Sequence, residues 1–548
     1  MTLVEPEVPP APVGARTPRR APRPGRAPRS LVVGALVVAL VFAAPTLYLV
    51  WRNQELGTDL WATLTSRRTL EPLWRSVVLG SAVAAAASVV GTGLAWCTTR
   101  SDVPLRRLWR VLAPLPLVIP SFVGAAALIA GLAPGGLIAE LLEPVGISVP
   151  DISGFWGAWL VLVLFTYPYV YLPVAARLAS MPPSLEESAR LLGRRSFATF
   201  RTVVLPQAST SIWAGALLVF LYTISDFGAV ELMRYGTLTR EIFQARLSPV
   251  TWLPLGLVLA GLALVVVAGE RALGRRRART EAIRARRPLQ VPLGRWRWPA
   301  LAAVVVVIGN ALVGPLAVLG WWAVRGSLST ASTGNLAVDP GALVAPTANT
   351  VGISLVAAVV TVVAVLPVAW LTGRHRTRSG GVANALVVSG FALPGLVVAL
   401  SMVFWVLSSS VLRSLYQTFA VLVFAYAVHF GAQATRAGQV AVAAVPSRLD
   451  DAARMLGAGR VRRLLTVDLP LMRPGLLAGG GLVLLSTMKE LPATLVLAPP
   501  GFTTLATTIW SSNESLFLAQ MGLASLVLVG VSGVLTWALV IRRADAER

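Results

Sequence analysis

Twelve apolar stretches alternate with short polar segments along this chain. A bilayer core is crossed by about 20 apolar helical residues, so each stretch predicts a spanning helix. They are Leu31–Trp51, Ser76–Thr98, Leu108–Gly131, Phe155–Leu178, Ile212–Val230 and Leu253–Ala268 in the first part of the chain. Trp298–Val324, Thr350–Leu371, Ala383–Leu407, Tyr416–Gly431, Leu476–Leu497 and Leu516–Ile541 follow. Pro114, Pro116 and Pro120 in the third stretch, and Pro394 in the ninth, predict kinks or breaks.

The polar segments are asymmetric. Arg100, Arg106, Arg107 and Arg110, then Arg190, Arg194, Arg195 and Arg201, fall on one side. So do Arg271 to Arg297, Arg374, Arg376 and Arg378, the set from Arg448 to Arg473, and Arg542 and Arg543. Residues 134–153 hold Glu140, Glu143 and Asp151 without Arg or Lys, 325–347 is rich in Gly, Ser and Thr, and Arg52 to Leu73 reads as a loop with both charge signs. The positive-inside rule puts the arginine clusters and both termini in the cytoplasm, and the protein in the plasma membrane as a multi-pass chain.

Composition agrees. The chain is 55% hydrophobic and 13% charged, with a mean hydropathy of +0.72, whereas soluble domains carry about 25% charged residues. The net charge of +24 is accounted for by topology, so no nucleic acid is expected. The single Cys97 excludes an intrachain disulfide, and two His make a histidine-built metal or catalytic site a poor reading. No P-loop, HExxH or nucleophile elbow is present, so the chain reads as no enzyme.

One polar segment recurs. Leu185-Glu-Glu-Ser-Ala-Arg-Leu-Leu-Gly193, running to Leu205-Pro206, returns as Leu449-Asp-Asp-Ala-Ala-Arg-Met-Leu-Gly457, running to Leu469-Pro470, at an offset of 449 − 185 = 264. The spans repeat as well, since Ala95-Trp96 and Pro120 return as Ala369-Trp370 and Pro394 at an offset of 394 − 120 = 274. Two copies at long period make a duplicated protein. The predicted organisation is a disordered cytoplasmic tail over 1–30, a first half over 31–270 with its core at 74–270, a cytoplasmic linker over 271–297, and a second half over 298–548 with its core at 348–543.

Each recurring segment predicts a short helix. Leu185, Ala189 and Leu192 share one face; Glu186, Glu187 and Arg190 lie off it. Acidic residues suit the first turn, and Gly193 and Gly457 suit the left-handed position that ends a helix. A second short helix is expected after the glycine, closed by Leu-Pro. Past each segment stands an intramembrane acid, Asp226 in Ser225-Asp-Phe-Gly228 and Glu490 in Lys489-Glu-Leu-Pro492, again 264 apart. Intramembrane charge is costly and marks pathways. Two readings stand side by side: Asp226, Lys489 and Glu490 line a translocation path, or Lys489 pairs with an acid and ties two helices.

The recurring segments resemble the EAA loop of permease subunits of binding-protein-dependent ABC importers. Glu187-Ser188-Ala189 precedes Gly193, and Asp451-Ala452-Ala453 precedes Gly457, at the family's interval, with Ser188 and Asp451 as departures. The resemblance covers roughly 50–548. It implies an all-α integral membrane protein of about twelve helices in two homologous six-helix halves, a duplicated MetI-like permease fold. It also implies ATPase-coupling loops carrying Glu186, Glu187, Ala189, Arg190 and Gly193, and Asp450, Asp451, Ala453, Arg454 and Gly457. The partners implied are a cytoplasmic ABC ATPase dimer, which binds the ATP, an extracytoplasmic solute-binding protein and the lipid membrane. No cofactor is expected in this chain. Ser225-Asp-Phe-Gly228, Lys489-Glu-Leu-Pro-Ala-Thr494 and Gly501-Phe-Thr-Thr-Leu-Ala-Thr507 are similar to fused ferric-iron permeases, which makes ferric iron the expected cargo, with thiamine, aminoalkylphosphonate or polyamine as alternatives. A secondary transporter of two parallel six-span repeats, using Asp226 and Glu490 as ion sites, is the reading from another class.

Overall fold

A computed structural model describes residues 27–55, 58–146, 152–277, 290–330, 334–375 and 377–538. The expected tail, apart from its last residues, and the middle of the linker, with Arg376, Arg542 and Arg543, lie outside the described residues. The side chains of Arg190 and Asp450 also lie outside them.

The first half contains α1 (Arg29–Gln54), α2 (Arg67–Arg100), a bent pair α3 (Arg106–Val118) and α4 (Ser121–Leu132), α5 (Phe155–Ser180), the short α6 (Pro183–Leu191) and α7 (Phe200–Ser225). Short α8 (Gly228–Leu232) and α9 (Leu238–Gln244) follow, and α10 (Pro249–Arg277) closes the half. The second half repeats this with α11 (Gly294–Leu328), α12 (Gly341–His375), the bent pair α13 (Arg378–Gly390) and α14 (Gly395–Ser408), α15 (Phe419–Ala444) and the short α16 (Ser447–Met455). It ends with α17 (Val461–Met488), short α18 (Pro492–Leu497) and α19 (Leu505–Glu514), and α20 (Leu518–Thr536).

Among the described residues, nine helices are long and apolar enough to cross a membrane, or eleven if each bent pair is one span. The remaining expected span, the tenth at Tyr416–Gly431, falls in α15. This helix is 26 residues long, but His429, Gln433, Arg436 and Gln439 dilute its apolar character. It tolerates them because it packs between α12 and α17 with most of its length buried. The proline breaks appear where expected: α3 and α4 meet at 94° before Ser121, and α13 and α14 at 98° before Gly395.

Each half centres on three helices packed together, α2, α5 and α7 in the first and α12, α15 and α17 in the second. The first span of each half also contacts the other half. α1 packs on α12 and α13 of the second half, with Phe42 edge-on to Phe424 at 6.2 Å. α11 reaches the first half, where the Trp322 indole N–H donates to the Ala130 carbonyl at 2.9 Å. The halves are therefore interlocked and share one hydrophobic core.

Three expectations are corrected. Leu205-Pro206 and Leu469-Pro470 close nothing, because α7 and α17 run straight through them. A π turn over Phe200–Val204, and another over Leu464–Asp468, immediately precedes each proline. The wider turn accommodates a residue that has no N–H to donate and whose ring crowds the preceding turn. The fifth span ends at Ser225 and not Val230, since the backbone at Asp226 is extended. The expected loop from Arg52 to Leu73 is largely helical, with α1 ending at Gln54 and α2 starting at Arg67.

Candidate functional site: the recurring short helices and the cavity between the halves

The recurring segments form α6 and α16. In α6 the Arg194 N–H reaches the Ala189 carbonyl at 3.1 Å across Gly193, whose φ is +80°. In α16 the Ala458 N–H reaches the Ala453 carbonyl at 3.0 Å and the Gly457 N–H the Arg454 carbonyl at 3.0 Å, with φ +76° at Gly457. These are left-handed glycine ends that a side chain would strain. A Cβ at either glycine would touch nothing, so the demand is purely conformational.

The buried face of α6 is not the expected one. Ala189 is buried as predicted, but Leu192 is 81% exposed and Glu186 is 2% exposed. The reason is Arg100 at the end of α2. Its guanidinium meets the Glu186 carboxylate at 2.6 Å, and its Nε donates to the Leu178 carbonyl of α5 at 2.9 Å. α6 is thereby tied to two core spans. Ala453 is buried in α16 in the same way. Leu191, Leu192, Met455 and Leu456 are all exposed at corresponding places, as are Glu187, Asp451 and Arg454. Two short helices thus present apolar tips and charges outward.

Arg374 corresponds to Arg100 at the offset of 374 − 100 = 274. It lies 3.6 Å from the buried Asp468 carboxylate, and Arg463 lies 3.8 Å from the other oxygen. Neither Arg100 nor Arg374 stood out in the sequence beyond its side of the membrane. The signal was there: both sit at the same offset as Ala95-Trp96 and Ala369-Trp370.

A cavity of about 300 Å³ lies between the halves. It is walled by the α3–α4 and α7–α8 breaks on one side and the α14 start, α15 and the α17–α18 break on the other. Both acids line it, each at a helix break and not within a helix. Asp226 accepts from the Ser121 hydroxyl and from the Ala229 N–H at 2.9 Å. Glu490 accepts from the Ala493 N–H at 3.2 Å. Gly395 occupies the place of Ser121, 274 residues on, and a Cβ there would lie 2.5 Å from a Glu490 oxygen. The longer acid in the second half fills the space that the missing side chain leaves.

Among the described residues Lys489 pairs with no acid. Its ammonium donates to the Leu117 carbonyl of α3, in the other half, at 2.8 Å. That carbonyl sits in the last, tightened turn before Pro120, where a backbone acceptor is left without a helical donor. Asp226, Lys489 and Glu490 therefore come together, with Ser121, Tyr222, His429 and Gln433 as lining that sequence reasoning passed over. Among the described residues no three His, Cys, Asp or Glu side chains group as metal ligands.

Residues 87–279 and 365–544 each match the family described as binding-protein-dependent transport system inner membrane component. The chain belongs to this family, twice over. It is 28% identical to the Fe(3+)-transport system permease protein of Haemophilus influenzae over 520 residues, which is 93% of this chain and 98% of that protein. It is 30% identical to the sulfate transport system permease protein of Salmonella typhimurium over 204 residues, 37% of this chain and 72% of that one. A probable molybdenum ABC transporter permease protein of Haloferax volcanii is 29% identical over 254 residues, 44% of this chain and 88% of that one. A whole relative of the latter kind corresponds to about one half of this chain, whereas the iron permease matches both halves. The chain is an ABC transporter permease, a multi-pass inner-membrane subunit.

Proposed function

We propose that the two halves form the complete translocation path of an ATP-driven importer for ferric iron. A separate cytoplasmic ATPase dimer docks on α6 and α16 and binds the ATP, an extracytoplasmic binding protein delivers the cargo, and both termini are cytoplasmic. The observation that carries the cargo is the match to an iron permease over almost its whole length. The cavity supports it: two carboxyls against one amine favour a cation over the oxyanions that relatives of a single half are named for.

Two long helices support a mechanical route. α7 runs unbroken from beside α6 to Asp226, and α17 from beside α16 to Lys489 and Glu490. At about 1.5 Å per residue each is a rod of roughly 40 Å. Arg100 locks α6 onto α2 and α5, so a push on α6 moves the core spans together. The breaks at the far ends of the rods are where the movement reaches the cavity.

Purification tests the partner assignment. The tagged chain should bring down an ABC ATPase whose hydrolysis rises with a cargo-loaded binding protein; a chain that carries iron on an ion gradient without any ATPase would overturn the reading. An alkaline phosphatase fused after Arg548 should be inactive if the C-terminus is cytoplasmic.

A further inference from the structure

A second cavity lies elsewhere. A pocket of about 460 Å³ opens at the end of α2 remote from Arg100, hence on the face opposite the coupling helices. Arg67, Arg68 and Arg75 of α2 line it, with Glu71, and with Glu241 and Gln244 of α9. Arg75 is paired with Glu71. Arg67 and Arg68 have no ion pair or hydrogen bond among the described residues and are exposed.

Three features call for an explanation. The positive-inside bias disfavours arginine on this side of the membrane. The fold does not require these charges, because the second half has Gly341, Ala342 and Asn349 in place of Arg67, Arg68 and Arg75 at the offset of 274, and Ala345 in place of Glu71. The pocket is also wired to the path. The Leu238 N–H at the start of α9 donates to Ser76 of α2 at 2.9 Å, and the Thr239 hydroxyl donates to the Asp226 carbonyl at 2.7 Å.

We propose that this pocket receives a carboxylate side chain of the extracytoplasmic binding protein, and that its presence on one half alone fixes the orientation in which that protein docks. The inference rests on the importer reading. Guanidinium forks match a carboxylate in two parallel hydrogen bonds, and two arginines without internal partners are ready to make them. Because α9 both lines the pocket and holds the Asp226 carbonyl, an occupant would be felt at the cavity.

The test uses the full chain with its ATPase in phosphatidylcholine nanodiscs, probed with the cell's own Fe(III)-loaded ferric-ion-binding protein. Stimulation of ATP hydrolysis in the wild-type complex tests the importer reading by itself. The pocket predicts that Arg67→Glu with Arg68→Glu lowers affinity for the binding protein at least tenfold and leaves basal hydrolysis unchanged. Arg67→Lys with Arg68→Lys should stay within about threefold of wild type, which separates charge from folding. Wild-type affinity should also fall as salt rises. Unchanged affinity in the double Glu variant would overturn the proposal. With phosphatidylglycerol added to the nanodiscs, a lipid retained by the wild type and lost from that variant in native mass spectrometry, with affinity unchanged, would also overturn it, since the pocket would then be a headgroup site.

Discussion

Arg100 and Glu186 meet at 2.6 Å with almost no exposure, joining the end of a core span to the short helix that ends at Gly193. Breaking a buried pair by removing one partner leaves a charge stranded, at about 3–5 kcal/mol. Arg100→Ala and Glu186→Ala should each lower thermal stability and largely uncouple ATP hydrolysis from uptake. The double substitution should cost clearly less than the two single costs added. A double-mutant cycle on the melting temperature measures this, and additive losses would mean that the pair carries no coupling.

Gly193 and Gly457 make a different kind of demand. Each has a positive φ and open space around its Cβ position. Gly457→Val should therefore cost about 1–3 kcal/mol of local strain without any clash, and Gly457→Asn less, because Asn tolerates this conformation. The expected readout is a loss of binding-protein-stimulated ATP hydrolysis at normal membrane insertion, graded Val worse than Asn. Equal loss for both would point to the exposed surface and not the backbone.

Much of this was legible in the sequence. The duplication, the two bent spans and the paired acids all follow from residues repeating at 264 and 274. The burial of Glu186 was not legible, because an acid in a first helical turn reads as solvated until its partner is known, and Arg100 lies 86 positions away. The partner of Lys489 was not legible for the same reason: it is a carbonyl freed by a proline break, and backbone acceptors leave no mark in side-chain patterns. The expected Leu-Pro helix ends failed because a π turn lets a proline sit inside a continuous helix.

The cavity makes a swap possible. Gly395→Ala should be damaging on its own, because its Cβ would meet a Glu490 oxygen at 2.5 Å. Gly395→Ser combined with Glu490→Asp recreates the Ser121–Asp226 arrangement of the first half and should recover stability and uptake relative to Gly395→Ser alone. Uptake in vesicles, normalised to folded protein, reports it. A double variant no better than the single would show that the two halves are not interchangeable at this point.

If Asp226 and Glu490 line the route of a cation, Asp226→Asn and Glu490→Gln should each lower uptake per folded molecule, and the pair together should lower it further. A purely structural role predicts lower melting temperatures with turnover per folded molecule unchanged. Lys489→Met removes the donor to Leu117 between the halves and should raise basal ATP hydrolysis by loosening their contact.

The most direct measurement is Fe(III) accumulation in vesicles that hold only this chain, its ATPase and the iron-loaded binding protein. Iron should enter only with ATP inside the ATPase compartment, and no second permease chain should be needed. Uptake driven by an ion gradient in the absence of ATP, or a requirement for another permease subunit, would contradict the account.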